Sequence, residues 1–427
     1  MKKSILLIFS FFIFCFNGFS QIIITELADP NNASNNRYVE IYNSSGSSIN
    51  LSDYYLLRWT NSNTNPTSKL SLSSYCGSSL PANTFCIISN ESTSDFKSMY
   101  GFVSNSDGGN GGPVDSNGDD NIAIVTSANG ITYSDSSTWT VVDIFGVPGE
   151  DGSGTGHEFE DGRAERKSSV TTPQSTWSAS DWNIDNDSGG GSGSQNAPAG
   201  FDPGYWIGAN SVDTWNGLTD ATWHTGSNWA SGTAPASGDK IFIRDSSTNP
   251  IISTTDIVAT NLTVESSGSL TINAGKDLTL TGNFSNSGQV TLNSDSQNFS
   301  SLIIQGTSSG NITYNRWVNS ISTGSPSSGD PGWDLVGSPV IGASLTSSNF
   351  SQNGSNYAIQ PYDNSDNTWT ATSSATFNTS LGTGYAMAKA TAGTEAFTGT
   401  VETLDKDVNI TNNSSGSGTQ WNLVANP

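Results

Sequence analysis

The sequence predicts an all-β protein of several domains, and three observations carry that expectation. Charged residues make up only 12% of the 427-residue chain, against about 25% in an ordinary globular protein, so the Glu, Lys and Arg that build surface helices are scarce. Short apolar stretches rich in β-branched and aromatic residues alternate with clusters of Asn, Ser and Gly, which is the texture of strands and turns. From Leu262 onward these stretches become a repeat of apolar-x-apolar triplets, the mark of stacked rungs. At roughly 100–200 residues per domain the length allows two to four units.

The chain opens with Lys2 and Lys3, an apolar run from Ile5 to Phe16, and Asn17-Gly18-Phe19-Ser20. This pattern reads as a secretory signal peptide over residues 1–20, cut after Ser20. The run is short of the roughly twenty residues a membrane span needs, and no later segment approaches that length. Cys15 lacks the small residues that precede a lipidated cysteine, so lipid anchoring is not expected. The expected location is extracellular or the outer cell surface, with no membrane span. Losing Lys2 and Lys3 takes the 15 basic residues to 13, against 38 acidic ones. Such a surface repels nucleic acid, and no nucleic-acid partner is expected. The one basic cluster, Arg163, Arg166 and Lys167, follows Glu158, Glu160 and Asp161 and reads as a self-neutralising loop.

The first strands are read at Ile22–Leu27, Tyr38–Tyr42, Tyr54–Leu57, Phe85–Ile88, Ile122–Val125 and Val141–Phe145, with a helical turn only at Asp95–Tyr100. Cys76 and Cys86 bracket the turn Gly77-Ser78-Ser79-Leu80-Pro81. Facing strands of a hairpin lie within the roughly 4.4–6.8 Å Cα separation that a disulfide requires, and an oxidising compartment lets the pair form. Two buried free thiols are the alternative.

These residues resemble the lamin-tail domain, an immunoglobulin-like sandwich also found in secreted bacterial proteins. The resemblance covers roughly Gln21 to Asp187. It rests on Ile24-Thr25-Glu26-Leu27, Arg37-Tyr38-Val39-Glu40-Ile41-Tyr42-Asn43, Ile49-Asn50-Leu51-Ser52, Leu80-Pro81-Ala82-Asn83 and Val142-Asp143-Ile144-Phe145-Gly146. It implies a lamin-tail-like sandwich over 21–186 and an accessory role beside nucleases, other hydrolases or surface proteins, with no catalytic residues in the module itself.

Residues 187–212 open on a Gly/Ser-rich stretch that cannot bury a core and read as a flexible linker. Residues 213–314 then carry the triplets Leu262/Val264, Leu270/Ile272, Leu278/Leu280, Val290/Leu292 and Leu302/Ile304. One inward pair per short strand suits a short right-handed parallel β-helix, with a sandwich as the alternative. The stretch also resembles β-helical repeats of secreted Bacteroidetes proteins, in the Trp215-Asn216-Gly217 opening and the Asn261-Leu262-Thr263-Val264 rung. Residues 315–427 return to strand-and-turn texture, a β-sandwich-like segment. In similar type IX secretion cargo the closing Asn-Pro runs on into further strands and a sorting domain, so the resemblance implies that this domain is incomplete at Pro427.

For chemistry, Ser104 to Asp161 holds eleven acidic residues and no Lys or Arg. Asp115, Asn117, Asp119 and Asp120 place oxygen ligands around a glycine turn, so calcium is the cofactor this loop would take. Gly118 and Thr126 stand where an EF-hand spacing would not have them, and a solvated turn is the competing reading. His157 and Glu158 invite a general-base, metal or partner-contact role, against a structural loop. Trp215, Trp223 and Trp229 would stack on sugar rings if exposed, or else cap the first rung of the solenoid. No Gly-x-Ser-x-Gly elbow or placed Cys–His pair is found, so no catalytic residue is assigned and the chain is not read as an enzyme. The function this supports is a secreted or cell-surface binding and adhesion protein for a polysaccharide, matrix or surface protein. Its rival is the accessory part of a secreted nuclease or polysaccharide hydrolase whose catalytic domain lies beyond this chain.

Overall fold

The computed structural model describes residues 21–427 other than 210, 322–331, 414–416, 419 and 426–427. The signal peptide read over 1–20 and the closing Asn426-Pro427 lie outside the described residues. The described chain is nearly all β, and no helix in it is long and apolar enough to cross a membrane.

The N-terminal unit is a two-sheet sandwich. Its strands are β1 (Ile22–Ala28), β2 (Tyr38–Asn43), β3 (Tyr54–Trp59), β4 (Ser68–Ser71), β5 (Phe85–Ser89), β6 (Ser106–Asp107), β7 (Asn121–Thr126), β8 (Thr140–Phe145), β9 (Arg163–Arg166) and β10 (Trp182–Asp185). One sheet has the order β10-β9-β1-β2-β5-β6, the other β8-β7-β3-β4. Between them lie Ile24, Val39, Ile41, Leu56, Ile88, Ile122, Ile124 and Phe145. A bulge at Thr25 shifts the β1–β2 register, so Ile22, Ile24 and Leu27 all reach this core although their spacing is not strictly alternate. The helix α1 (Leu72–Tyr75) ends at Cys76, whose bond to Cys86 on β5 spans 5.6 Å between Cα atoms. The disulfide therefore joins a helical turn to a central strand rather than two facing strands of a hairpin.

Every residue of β1 and β2 is buried, because the outer face of their sheet is covered as well. The helix α2 (Thr93–Tyr100) starts where the Ser92 hydroxyl accepts from the Ser94 and Asp95 amides, and it ends at Gly101 in the left-handed region. It lays Phe96 and Tyr100 on Tyr38, while Phe201, Trp206, Val212 and Phe242 complete the same cluster.

This corrects the linker. Residues 187–212 pack as part of the fold: Trp206 is buried and donates from its indole to the Arg166 carbonyl at 2.5 Å. The Gly/Ser stretch is held by the side chains that flank it, with Asn186 Oδ1 accepting from the Gly190 amide and Asp185 Oδ1 from the Ser192 amide, both at 2.6 Å. Composition missed this because the apolar anchors, Phe201 and Trp206, are few and lie beyond the glycines. Glu40 accepts from the Gly204 amide at 2.6 Å, and Arg163 bridges Glu26 at 3.2 Å and Asp202 at 2.5 Å, so the covered face contains charge as well as rings.

The second unit is a parallel β-helix with three faces. The first face stacks β11 (Val212–Thr214), β12 (Lys240–Ile243), β15 (Asn261–Val264), β18 (Phe284–Asn286) and β21 (Ser308–Ser309). The second stacks β13 (Ile251–Ile252), β16 (Ser269–Ile272), β19 (Gln289–Asn293) and β22 (Asn311–Val318). The third stacks β14 (Ile257–Ala259), β17 (Asp277–Leu280) and β20 (Ser301–Ile304). All these pairs are parallel, and residues such as Lys240 and Asn261, or Leu278 and Leu302, sit in register one coil apart. The triplet repeat is thus three strands per coil, each turning its alternate apolar residues inward.

The boundary drawn at 314/315 falls inside β22 and does not exist as a domain break. β22 runs across it and pairs antiparallel with β27 (Gly393–Thr400) over eight positions. Of the other C-terminal strands, β23 (Asp334–Gly337), β24 (Ile359–Asp363), β25 (Thr368–Trp369) and β26 (Gly384–Met387) form a sheet of order β23-β26-β24-β25. One hydrophobic core runs from Trp215 through Leu278 and Tyr314 to Met387 and Phe397. The last coil cannot bury its own end, and the antiparallel β27 with its attached sheet closes it.

The two units dock directly. The Val103 amide donates to the Asp245 carbonyl and the Ser247 amide to the Gly101 carbonyl, each at 2.9 Å. Arg244 is buried and donates to Asn105 Oδ1 at 2.8 Å and to the Phe85 carbonyl at 3.1 Å. A Cβ at Gly101 would run into the Asn216 backbone, so this contact requires glycine as much as the helix cap does.

Candidate acidic centre and open groove

The acidic stretch does not fold as a ligand loop. Asp115 pairs with Arg37 at 2.9 Å and accepts from Asn90 Nδ2 and the Gly111 amide, each at 2.8 Å. Asp120 faces Arg58 at 3.4 Å and accepts from the Asn61 amide at 3.0 Å. Burial pushes the Asp120 carboxyl up to about 6, with Arg58 opposing it. Asn117 is exposed. Asp115, Asn117, Asp119 and Asp120 therefore do not converge on one ion: Arg37 and Arg58, distant in sequence, supply the counter-charge that the sequence assigned to calcium. Asp119 differs. Its Oδ2 accepts from Asn61 Nδ2 at 2.9 Å, but its buried Oδ1 has no partner.

Phe159 points into the sandwich core, and its neighbours Glu158 and Glu160 flank it where the chain enters a turn at Glu160 and Asp161. The Glu158 carbonyl accepts from Asn186 Nδ2 and the Glu160 carbonyl from the Asp187 amide, both at 3.0 Å. These two bonds bring Asp187 alongside, and carboxylate oxygens of Glu158, Glu160 and Asp187 lie within 4.8 Å of one another. Burial raises the Glu160 carboxyl, and Asp187, Asp119, Asp161 and Asp29 raise it further. The sequence singles out Glu158, carries Glu160 only as part of the loop, and places Asp187 at the start of the linker. The alternation around an apolar Phe159 was the readable signal, whereas Asp187 is brought in by Asn186, which no spacing reveals.

His157 takes no part in this centre. Its ring is buried against Phe145 and Trp177, Nδ1 pairs with Thr155 Oγ1 at 3.0 Å, and burial holds its pKa below the usual value. The general-base and metal readings of His157 are thereby replaced by a neutral ring in an aromatic box.

The tryptophans are likewise structural. Trp215, Trp223 and Trp229 are fully buried and meet edge to face, with ring centroids 5.1 Å apart for Trp215–Trp229 and 4.8 Å for Trp223–Trp229. The Trp229 indole donates to the Trp223 carbonyl at 2.7 Å and the Trp215 indole to the Thr248 carbonyl at 2.6 Å. They cap the first coil, and no face is left for a sugar.

Sequence reasoning missed a groove of about 890 Å³ at the other end of the β-helix. It runs between β20 and β23, each the outermost strand of its sheet among the described residues. Residues 401–406 form one wall, and the apolar side chains of Ile303, Leu335 and Leu404 line it at 49%, 63% and 77% exposure. An open strand edge presents unpaired N–H and C=O groups, and a contiguous exposed apolar patch marks an interaction surface.

The fold and these sites define a class: an all-β protein in which a two-sheet sandwich is docked on a closed parallel β-helix. The chain belongs to the family described as a domain of unknown function, DUF8693, whose model matches residues 214–427. The match begins at the first strand of the helix and runs through 314/315, in agreement with the single core there. No curated protein and no solved structure matches the chain.

Proposed function

We propose that the protein is a secreted or cell-surface, non-catalytic binding and adhesion module that holds an extended segment of a matrix or surface protein in the groove between β20 and β23. The observation that carries this reading is a groove bordered by two open strand edges and floored by exposed apolar side chains. Strand addition draws affinity from main-chain hydrogen bonds and specificity from pockets for alternate side chains, and only a polypeptide offers both. A polysaccharide loses its support with the burial of the tryptophan faces. The resemblance of residues 21–186 to the lamin-tail domain, the Lys2-Lys3 leader pattern and the Cys76–Cys86 bond support export to an oxidising space.

A random decapeptide display library tests the reading. Selection on the wild-type protein should enrich peptides with alternating apolar residues, and a selected peptide should slow amide exchange at Ser301–Ile304. Ile303→Lys and Leu335→Lys, both at exposed positions, should weaken it at least tenfold. No enrichment, or equal binding by the two variants, overturns the proposal.

A further inference from the structure

We propose that Glu158, Glu160 and Asp187, backed by Asp119, form a divalent-cation site that takes calcium. Clustered carboxylates alone would not carry this. The independent observation is Glu158, which is 5% exposed and whose carboxylate meets no hydrogen-bond donor and no basic group among the described residues, while an oxygen of it is directed at Glu160 and Asp187. Asp119, 6% exposed, adds a buried Oδ1 without a partner. The backbone of Gly118, which precedes it, lies against that of Glu160.

Buried carboxylates elsewhere in the molecule are met. Asp143 has Arg166 at 2.6 Å, Asp29 has Arg37 at 2.6 Å, and Asp213 has the Ser231 hydroxyl at 2.7 Å. The Glu158 carboxylate, whose oxygens still reach solvent, has no such partner, and a bound cation would supply the missing charge.

The donor set selects the ion. It consists of carboxylate oxygens, which suit a hard cation, and neither ring nitrogen of the neighbouring His157 lies within ligand distance of the group. Calcium holds oxygens at about 2.3–2.6 Å, so opposed ligands stand about 4.6–5.2 Å apart. Three oxygens within 4.8 Å of one another fit around one such ion without backbone movement. Asp187 is exposed, which leaves a side for water to complete the six to eight oxygens that calcium takes. The site joins the loop after the β8 strand to the start of the segment that covers the first sheet, so the ion would clamp residues 187–212 in place.

Calorimetric titration of the purified protein with calcium chloride, and thermal melts in calcium or in EDTA, test the site. One ion per chain is expected, with a midpoint rise of about 5 °C at a hundredfold excess over Kd. Glu158→Gln and, separately, Asp187→Asn should abolish both the heat and the rise. Their midpoints in EDTA should be no lower than that of the wild type, because each removes a repelling charge at constant volume. Absence of heat and shift in the wild type overturns the proposal, as does a rise that both variants keep, which would be screening of the acidic surface. If Glu158→Gln folds poorly, Asp187→Asn decides alone, since its side chain is exposed. Peptide binding in the groove is a separate readout, so the two proposals fail independently.

Discussion

The sandwich and the β-helix bury similar residues but are held together differently. In the sandwich one ionised side chain ties together segments far apart in sequence. Asp143, fully buried on β8, accepts from the Ile24 amide at 2.7 Å, from the Gln174 amide at 2.7 Å and from Arg166 at 2.6 Å. Arg166 in turn lies 4.0 Å over the Trp182 ring and donates to the Ile24 carbonyl at 3.1 Å. Burial pushes Asp143 up and Arg166 down, each opposed by its partner. The β-helix instead repeats a local device. Each inward residue packs on its counterpart one coil away, and outward side chains continue the ladder, as where Asn261 Oδ1 accepts from the Asn283 amide and Asn283 Oδ1 from the Thr307 amide. The lesson is that a closed sandwich concentrates its cohesion in a few positions, whereas a solenoid distributes it.

Three experiments would break or sharpen that contrast. The largest effect is expected from Asp143→Asn, which leaves Arg166 buried without its counter-charge and unlinks three segments. Urea denaturation should show a loss of about 3–5 kcal/mol. Leu278→Ala, at a fully buried position of β17, should cost about 3 kcal/mol by cavity formation, with its neighbours in the stack free to relax. If the leucine variant proves the more damaging of the two, cohesion is not concentrated as described.

The smallest effect concerns the docked face. Burial raises the Glu40 carboxyl to about 8 and that of Asp213 to about 7. Between the usual carboxylate range and these values the folded state binds more protons than the unfolded chain. Stability from these groups is therefore fully present only below the ordinary carboxylate values, is lost progressively as pH rises from there, and is gone once pH has passed the folded values of about 7 and 8. Glu40→Gln keeps an acceptor for the Gly204 amide and a partner for the Thr25 hydroxyl, so it should flatten the slope and stabilise the protein at pH 8. An unchanged slope in that variant would place the proton dependence elsewhere.

Much of the architecture was legible in the residues. Alternation marked the strands, a helical turn was legible at Asp95–Tyr100, which the structure extends back to Thr93, and the spacing of Leu262, Leu270 and Leu278 marked the rungs. The disulfide partners followed from there being two cysteines, Cys76 and Cys86, beyond residue 20. Less of the site was legible. Of the residues suggested for a metal, Asp115 and Asp120 were claimed by Arg37 and Arg58, and only Asp119 and Glu158 came to lie near Glu160 and Asp187.

Periodicity and composition are local properties, and they sufficed for the all-β class, the repeat and the acidic surface, because strand faces and turns depend on residues a few positions apart. Packing assigned the rest. Whether a tryptophan is a cap or a platform, whether a Gly/Ser stretch is free or docked, and which carboxylate lacks a cation all turn on partners tens to hundreds of residues away. Burial sets the energy of each, since charge and aromatic surface count for most where water is excluded.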